Sequence, residues 1–491
     1  MTPFTGFLPD VDPTTLGVIT DCTNLAPSLN GYRTAPGRLT LGYAALASAC
    51  QGAVLCMLLD GTYRFFAATG TKLYEGTGGS WTDRTRAAGG NYTLASDLFW
   101  SFCQFGNTTI ATNKADALQQ SASGAFASIA TSPTARLCET IAGFVMLADT
   151  NDGTAGTAYG DQADRWWCSS YMDATSGTAW TPSVTTQCTT GRLTDIPGPI
   201  RALKRLGSNI VAYKDKGLFI GAYVGAPSVF AWQSIPGDFG SGSQQSVISV
   251  GSAHYFIGYE NIYMFDGSRP RPIGDGIKKW FFTDLHKSYR YRIAGVHDRL
   301  EDRIWFFYPN NASSAGELNA AIVYNYTTGQ WGRADQNIEV PVEILTGAVT
   351  YTGFGTTFST YDAIPTVAYD SPLLSATAPV LSIFDTAHAP YSMTAIGTGS
   401  SLVTGDYGDD DTYSTLTKVR LRFVTLPTSA SATNFTKQVS GEAGQLGATS
   451  VMEDGKFDFL SSARWHRVRF DFVGDMTTDA LWIDLKPDGT N

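Results

Sequence analysis

Apolar residues along the first 340 positions fall into short runs broken by Gly, Asp and Asn, and the runs return in groups roughly every 50 residues. The first group holds Val54-Leu-Cys-Met-Leu-Leu59, then Gly61-Thr-Tyr-Arg-Phe-Phe66, then Leu73-Tyr74, and closes on Trp81 after Gly78-Gly79. Strand, turn, strand, turn with a terminal aromatic is the grammar of a propeller blade, and self-similarity at this period points to a ring of such units. Further groups run from Leu98 to Phe126, from Leu137 to Trp180, from Ile200 to Trp232, from Val247 to Phe265 and from Arg303 to Trp331. Taking Tyr74, Leu118, Trp167, Phe219, Tyr263 and Tyr324 as equivalent, the spacing is 44 to 61 residues, which predicts six blades, give or take one.

Helical spacing occurs once, in Ile277, Trp280, Phe281, Leu285 and Tyr289, and predicts a short helix between the fifth and sixth units. Residues 1–45 are rich in Pro and Gly and lack a steady period, which suggests an extended arm reaching a neighbouring subunit. Beyond residue 340 the chain turns to Thr- and Ser-rich stretches. Clean period-two alternation then returns in Thr417–Val424, Trp465–Phe472 and Asp479–Leu485, as a half-buried antiparallel sheet requires. The expected organisation is therefore all-β: an arm at 1–45, a β-propeller at 46–340 and a C-terminal antiparallel β-sandwich-like domain at 341–491.

Composition agrees with many short strands: of 491 residues, 51 are Gly, 12% aromatic and only 16% charged. The formal charge of −10 gives no general attraction to phosphate backbones. No stretch approaches 18 uncharged apolar residues and the first dozen positions lack a basic and apolar leader, so neither membrane insertion nor export is expected. The seven cysteines, odd in number and without a C-x-x-C pair, are expected to be buried thiols of a protein made in a reducing cytoplasm.

Several segments then resemble a known family. Gly17-Val-Ile-Thr-Asp-Cys-Thr-Asn-Leu-Ala-Pro-Ser-Leu-Asn-Gly-Tyr-Arg-Thr-Ala-Pro-Gly37, Ile262-Tyr-Met-Phe-Asp-Gly267, Val323-Tyr-Asn-Tyr-Thr-Thr-Gly-Gln-Trp331, Gly455-Lys-Phe-Asp-Phe459, Ser462-Ala-Arg-Trp-His-Arg467 and Leu485-Lys-Pro-Asp-Gly489 resemble the tail nozzle, or packaged-DNA stabilisation, proteins of short-tailed bacteriophages. The resemblance spans nearly the whole chain but rests on turn and strand signatures. It implies a non-enzymatic structural virion protein, assembled in the host cytoplasm into a homohexameric tail ring below the portal and its adaptor protein. Such a ring retains packaged DNA, conducts ejected double-stranded DNA without sequence-specific binding, and docks tail fibres or spikes and a needle or plug. Six copies would carry a charge of about −60, and if it faced the lumen it would let the duplex slide rather than stick. The alternative is a carbohydrate-binding or glycan-hydrolysing propeller at a virion tip, favoured if Trp166 and Trp167 are exposed for sugar stacking.

No residue pattern adds a chemical site. Asp149, Asp152, Asp161 and Asp164, and Glu301 with Asp302, are acid pairs without a spacing that fixes glycosidase geometry, and turn structure is the simpler reading. Gly78–Asp83 and Asp173–Trp180 depart from the Asp-box spacing of sialidase propellers. His254, His286, His297, His388 and His466 are scattered, and Asp409-Asp-Asp411 lacks the pattern of a calcium loop. Phosphate-cradling glycine motifs are missing from the sequence. Catalytic residues, metal ligands and cofactors are accordingly expected to be none. The basic stretch Arg269–Arg303 and the strand carrying Arg464, Arg467 and Arg469 are expected to serve contacts between subunits.

Overall fold

The computed structural model describes residues 1–153, 159–345 and 379–490. Six four-stranded antiparallel sheets stand free around an axis. Blades one to five run through Gly52–Asp83, Ser101–Ser128, Thr134–Arg192, Ile200–Ile235 and Val247–Pro272, each in simple up-and-down order. The remaining free sheet, the closing blade, combines Ile338–Leu345, Pro379–Asp385 and Pro390–Ala395 with Gly37–Thr40 from the other end of the chain. A further four-strand unit, Ala294–Asp298, Arg303–Tyr308, Ala320–Asn325 and Trp331–Ala334, fills the place between blade five and the closing blade. The innermost strands of all these units touch in succession and meet again at Ile338–Leu345 and Gly52–Met57, so the ring is shut.

The second strand of each unit explains the apolar runs of the sequence. The second strands Arg303–Tyr308 and Ala253–Ile257, and the third strand Ala320–Asn325, are buried along their whole length, because both faces of a blade are covered by its neighbours. The turns follow from local chemistry. Gly78 and Gly79 both take positive φ, +56° and +82°, between the paired Thr77 and Ser80, as a two-residue hairpin turn twisted with its strands requires. The expected helix is present as α1 (Lys278–Asp284), which buries Phe281 and sits between blade five and the next unit.

Two boundaries read from the sequence are corrected. Residue 340 falls inside the strand Ile338–Leu345, and ring strands continue to Ala395; the Thr- and Ser-rich run 346–378 lies outside the described residues. The segment 1–45 is no free arm. Gly37–Thr40 closes the propeller, Leu25–Ser28 and Gly31–Thr34 form a hairpin inside a large sheet, and Gly6–Phe7 and Val18–Thr23 join a sheet of the C-terminal domain. Phe7, Ile19, Cys22, Leu25 and Tyr32 are fully buried within this same chain. Their partners lie hundreds of residues away, so no local period betrays them.

The C-terminal domain is the expected sandwich. One sheet carries Thr412–Thr425, Lys456–Ala463 and Thr477–Thr490; the other carries Gly399–Thr404, Trp465–Val473, Ser429–Lys437 and Gln445–Val451. Alternate residues of both sheets meet in the core, where Phe470 lies 5.3 Å from Phe457 and 6.1 Å from Phe472. The first of these sheets is continuous with the unit Ala294–Ala334 through the hairpin of the N-terminal segment, and that unit is called the joined blade below. Tyr32 ties the three parts: its hydroxyl donates to the Trp331 carbonyl and accepts the Phe7 N–H, both at 2.8 Å.

Candidate functional site

The concave feature at the centre of the molecule is a cavity of about 300 Å³ on the propeller axis. Its wall is made by the innermost strands, so each unit contributes a few side chains, among them Ser101, Lys204, Ser249, His297 and Glu343. Axial pockets of this kind are where ring-shaped folds can hold a ligand. Burial pushes the Glu343 carboxyl upward, while Arg299, 3.1 Å away, pulls it back. Burial, with Arg299 nearby, drives the His297 imidazole down to about 4, so it is neutral near pH 7. Its tautomer follows from its neighbour: the Tyr326 hydroxyl gives its one proton to Asp302 at 2.8 Å and so accepts from His297 Nε2 at 3.2 Å. Lys204 makes no ion pair among the described residues. The arrangement is a small polar pocket with one cation, one carboxylate and one neutral imidazole. No motif marks Lys204 or Glu343; their only common signal is a place on the first strand of a repeat.

The carboxylates singled out in the sequence are committed to structure. Asp149 is buried between Lys114 at 2.6 Å and Arg136 at 2.8 Å, and Lys114 also reaches Asp161 at 2.8 Å. Asp164 pairs with Arg192 at 2.8 Å, and Glu301 bridges Arg33 and Arg303 at 3.0 Å each. Asp302 receives Tyr326 and Thr327 hydroxyls; Asp152 is the exception, fully buried with neither carboxylate oxygen hydrogen-bonded among the described residues. Asp173 caps its own turn through the N–H groups of Thr175 and Ser176, while Trp180 donates to the Ala174 carbonyl.

The histidines are dispersed as well. His254 bridges Tyr213 and the Arg205 carbonyl, His466 bridges Asn434 and the Ser414 carbonyl, His388 meets Glu339 at 2.6 Å, and His286 packs on Tyr289. Asp409 receives the N–H groups of Asp411 and Thr412, and Asp410 receives Trp465 Nε1. Among the described residues no group of three or more His, Cys, Asp or Glu is placed to hold a metal. All seven cysteines are buried, unpaired thiols.

Both arginine groups make contacts within the chain. Arg467 forms a two-pronged pair with buried Asp406 at 2.7 and 3.0 Å, and Arg469 pairs with Asp471, both within this chain. Arg464 stacks on Tyr413. In the other stretch, Arg271, Lys278, Arg299 and Arg303 have carboxylate partners in the chain, and Arg290 stacks on Tyr259 and Phe282. Trp166 and Trp167 are 5% and 1% exposed, packed against Trp232 and Phe230 or within the blade core.

The fold and site together define a β-propeller joined through a common sheet to a β-sandwich. No family model matches the chain, and no curated protein matches its sequence. Among solved structures it is similar to YCF48 bound to a D1 peptide, at 12% identity over 65% of this chain and 91% of that one, with a TM-score of 0.35. YCF48 from Cyanidioschyzon merolae is 9% identical over 62% and 92%, also with a TM-score of 0.35. An exo-β-1,3-galactanase from Phanerochaete chrysosporium with galactose is 9% identical over 91% and 100%, with a TM-score of 0.27. At such identities the likeness concerns fold alone.

Proposed function

We propose that the protein is a structural, non-enzymatic subunit of a bacteriophage tail, a nozzle protein whose copies, six in the expected ring, surround a lumen that double-stranded DNA leaves through. The observation that carries this reading is the continuity of one sheet from the joined blade through the N-terminal hairpin into the sandwich. A hinge between domains needs a mobile linker with few crossing contacts. Here the crossing element is a hydrogen-bonded sheet whose side chains are buried, which suits a stiff wall segment better than a moving lid. The family resemblance of Gly17–Gly37 falls on that crossing element. The ring would sit below a portal adaptor and present docking surfaces for fibres or spikes and for a plug.

Ion pairs, hydroxyl contacts and turn caps hold the candidate acids other than Asp152, which supports the non-enzymatic side of the reading. Burial of Trp166 and Trp167 removes the observation that would have favoured a sugar-stacking site. The test is the mass of the full chain in solution by light scattering, alone and with candidate virion neighbours. A closed multiple near six, alone or on a partner, is expected. A monomer in every mixture would contradict the proposal.

A further inference from the structure

In the sandwich sheet Thr412–Thr425, Lys456–Ala463 and Thr477–Thr490, one face packs on the core and the other is left uncovered by the described residues. Register fixes what the uncovered face carries: Arg420 stands opposite Trp482 on one side and Lys456 on the other, and Lys418 stands opposite Asp484 and Asp458. Lys456, Asp458 and Leu460 alternate outward along their strand, with Leu460 86% exposed, and Trp482 is 37% exposed. Lys456 pairs with Asp458 at 2.9 Å, so its like-charge contact with Arg420 across the ladder is partly offset within the chain. Arg420 and Lys418 make no ion pair among the described residues, and Trp482 stacks on nothing there. Arginine, tryptophan and an exposed leucine on a flat face are the make-up of a protein interface rather than of a solvated sheet.

At the start of the same strand lies the opposite charge. Asp409, Asp410, Asp411 and Glu442 form an exposed acidic end, drawn together where the Ser440 N–H donates to Asp410. Seven to eleven residues of extended strand separate Asp411 from Lys418 and Arg422, about 20 to 35 Å. That exceeds the screening length of about 8 Å at physiological salt, so the two patches do not satisfy each other within one copy.

We propose that the uncovered face around Arg420 and Trp482 receives the acidic end Asp409–Asp411 and Glu442 of a second copy of this chain. Two different patches then meet in each contact, so the arrangement is head-to-tail and generates a ring if its rotation closes. The inference rests on the ring reading above and names the surfaces that close it.

The test uses the full chain and two charge-reversed variants, Lys418→Glu with Arg420→Glu on the face and Asp411→Lys with Glu442→Lys at the end, in sedimentation velocity across salt. All four positions carry no backbone-defining role in the core, and thermal melts check that each variant folds. Wild type is expected to self-associate more weakly as salt rises, each variant to associate about 30-fold more weakly or worse, and an equimolar mixture of the two variants to recover association. Association of wild type that neither variant disturbs would overturn this inference and leave the ring reading standing. Monomers of wild type at every salt, alone and with virion neighbours, would overturn both. A fluorescent DNA duplex bound by wild type and lost in the face variant, with no change in protein mass, would overturn it in favour of a nucleic-acid face.

Discussion

Blade one ends at Ser80–Asp83, whose residues are mostly exposed, whereas the joined blade ends at Trp331–Ala334, whose outer edge is taken by the N-terminal hairpin and through it by the sandwich. The two units have the same strand order and the same buried second strand. They differ in what their fourth strand is offered. A blade with a free edge is a repeat held by its neighbours, while the joined blade is also the root of a second domain, and its terminal aromatic shows the change. Trp81 is half-buried with Nε1 donating to the Ala44 carbonyl; Trp331 is 2% exposed, donates to the Ile273 carbonyl and offers its own carbonyl to Tyr32. Joining the domains through a sheet edge therefore also hides an edge that would otherwise be open to unwanted pairing.

The largest test of this difference is removal of residues 1–45. It takes away the closing strand Gly37–Thr40, the hairpin between blade and sandwich, and the fully buried side chains of Phe7, Ile19, Cys22, Leu25, Ala26 and Tyr32. No cooperatively folded protein is expected by circular dichroism and limited proteolysis; a chain that still melts cooperatively would show that the segment is an accessory. Trp331→Ala is expected to cost about 3–5 kcal/mol in urea unfolding. Trp81→Ala at the equivalent place on blade one should cost about 2 kcal/mol. Equal losses would erase the distinction between the two blades.

Ion pairs sharpen the same contrast. Asp406 in the sandwich is buried between Lys437 and Arg467, and Asp406→Asn leaves Lys437 buried with one charge partner gone, a loss of about 3 kcal/mol or more. Arg192→Ala on blade three removes a surface pair with Asp164 and should leave the urea midpoint nearly unchanged. The His254 imidazole, between blades four and five, is pushed down to about 4 by burial. The unfolded chain takes up a proton near pH 6.5 that the folded chain refuses until about 4, so this residue's contribution is complete above pH 6.5 and is lost as pH falls toward 4. Within that window it adds a slope of about 1.4 kcal/mol per pH unit, and His254→Gln should remove that much slope from the pH dependence of unfolding. His297 acts in the same direction, and Asp298, raised to about 6 by burial, opposes one of the two.

The second strands of several blades were legible because a strand covered on both faces is mostly apolar, as residues 304–307 are within Arg303–Tyr308. The alternation of Thr417–Val424 and Trp465–Phe472 was also legible, since those strands face a core on one side only. The closing blade stayed hidden because its four strands come from opposite ends of the chain, and Gly37–Thr40 carries no period of its own. Phe7 and Tyr32 looked like isolated aromatics in a Pro- and Gly-rich arm, since what buries them is separated by some 300 residues or more. The axial pocket was illegible for a related reason: Lys204, His297 and Glu343 converge only when the ring shuts, and nothing near each of them in sequence marks the axis. The turn role of Asp173 was legible because its contacts to Thr175 and Ser176 are local, whereas nothing nearby in sequence marks Asp152 as buried without a hydrogen-bond partner.

The central claim, that copies of this chain surround a common lumen, is tested most directly by electron microscopy of the purified full-length protein, alone and mixed with candidate portal-adaptor proteins. Class averages showing a rotationally symmetric ring of about six copies around an open hole, with sandwich touching sandwich, are predicted. Isolated single copies in every mixture, with the Arg420 and Trp482 face bare, would contradict it.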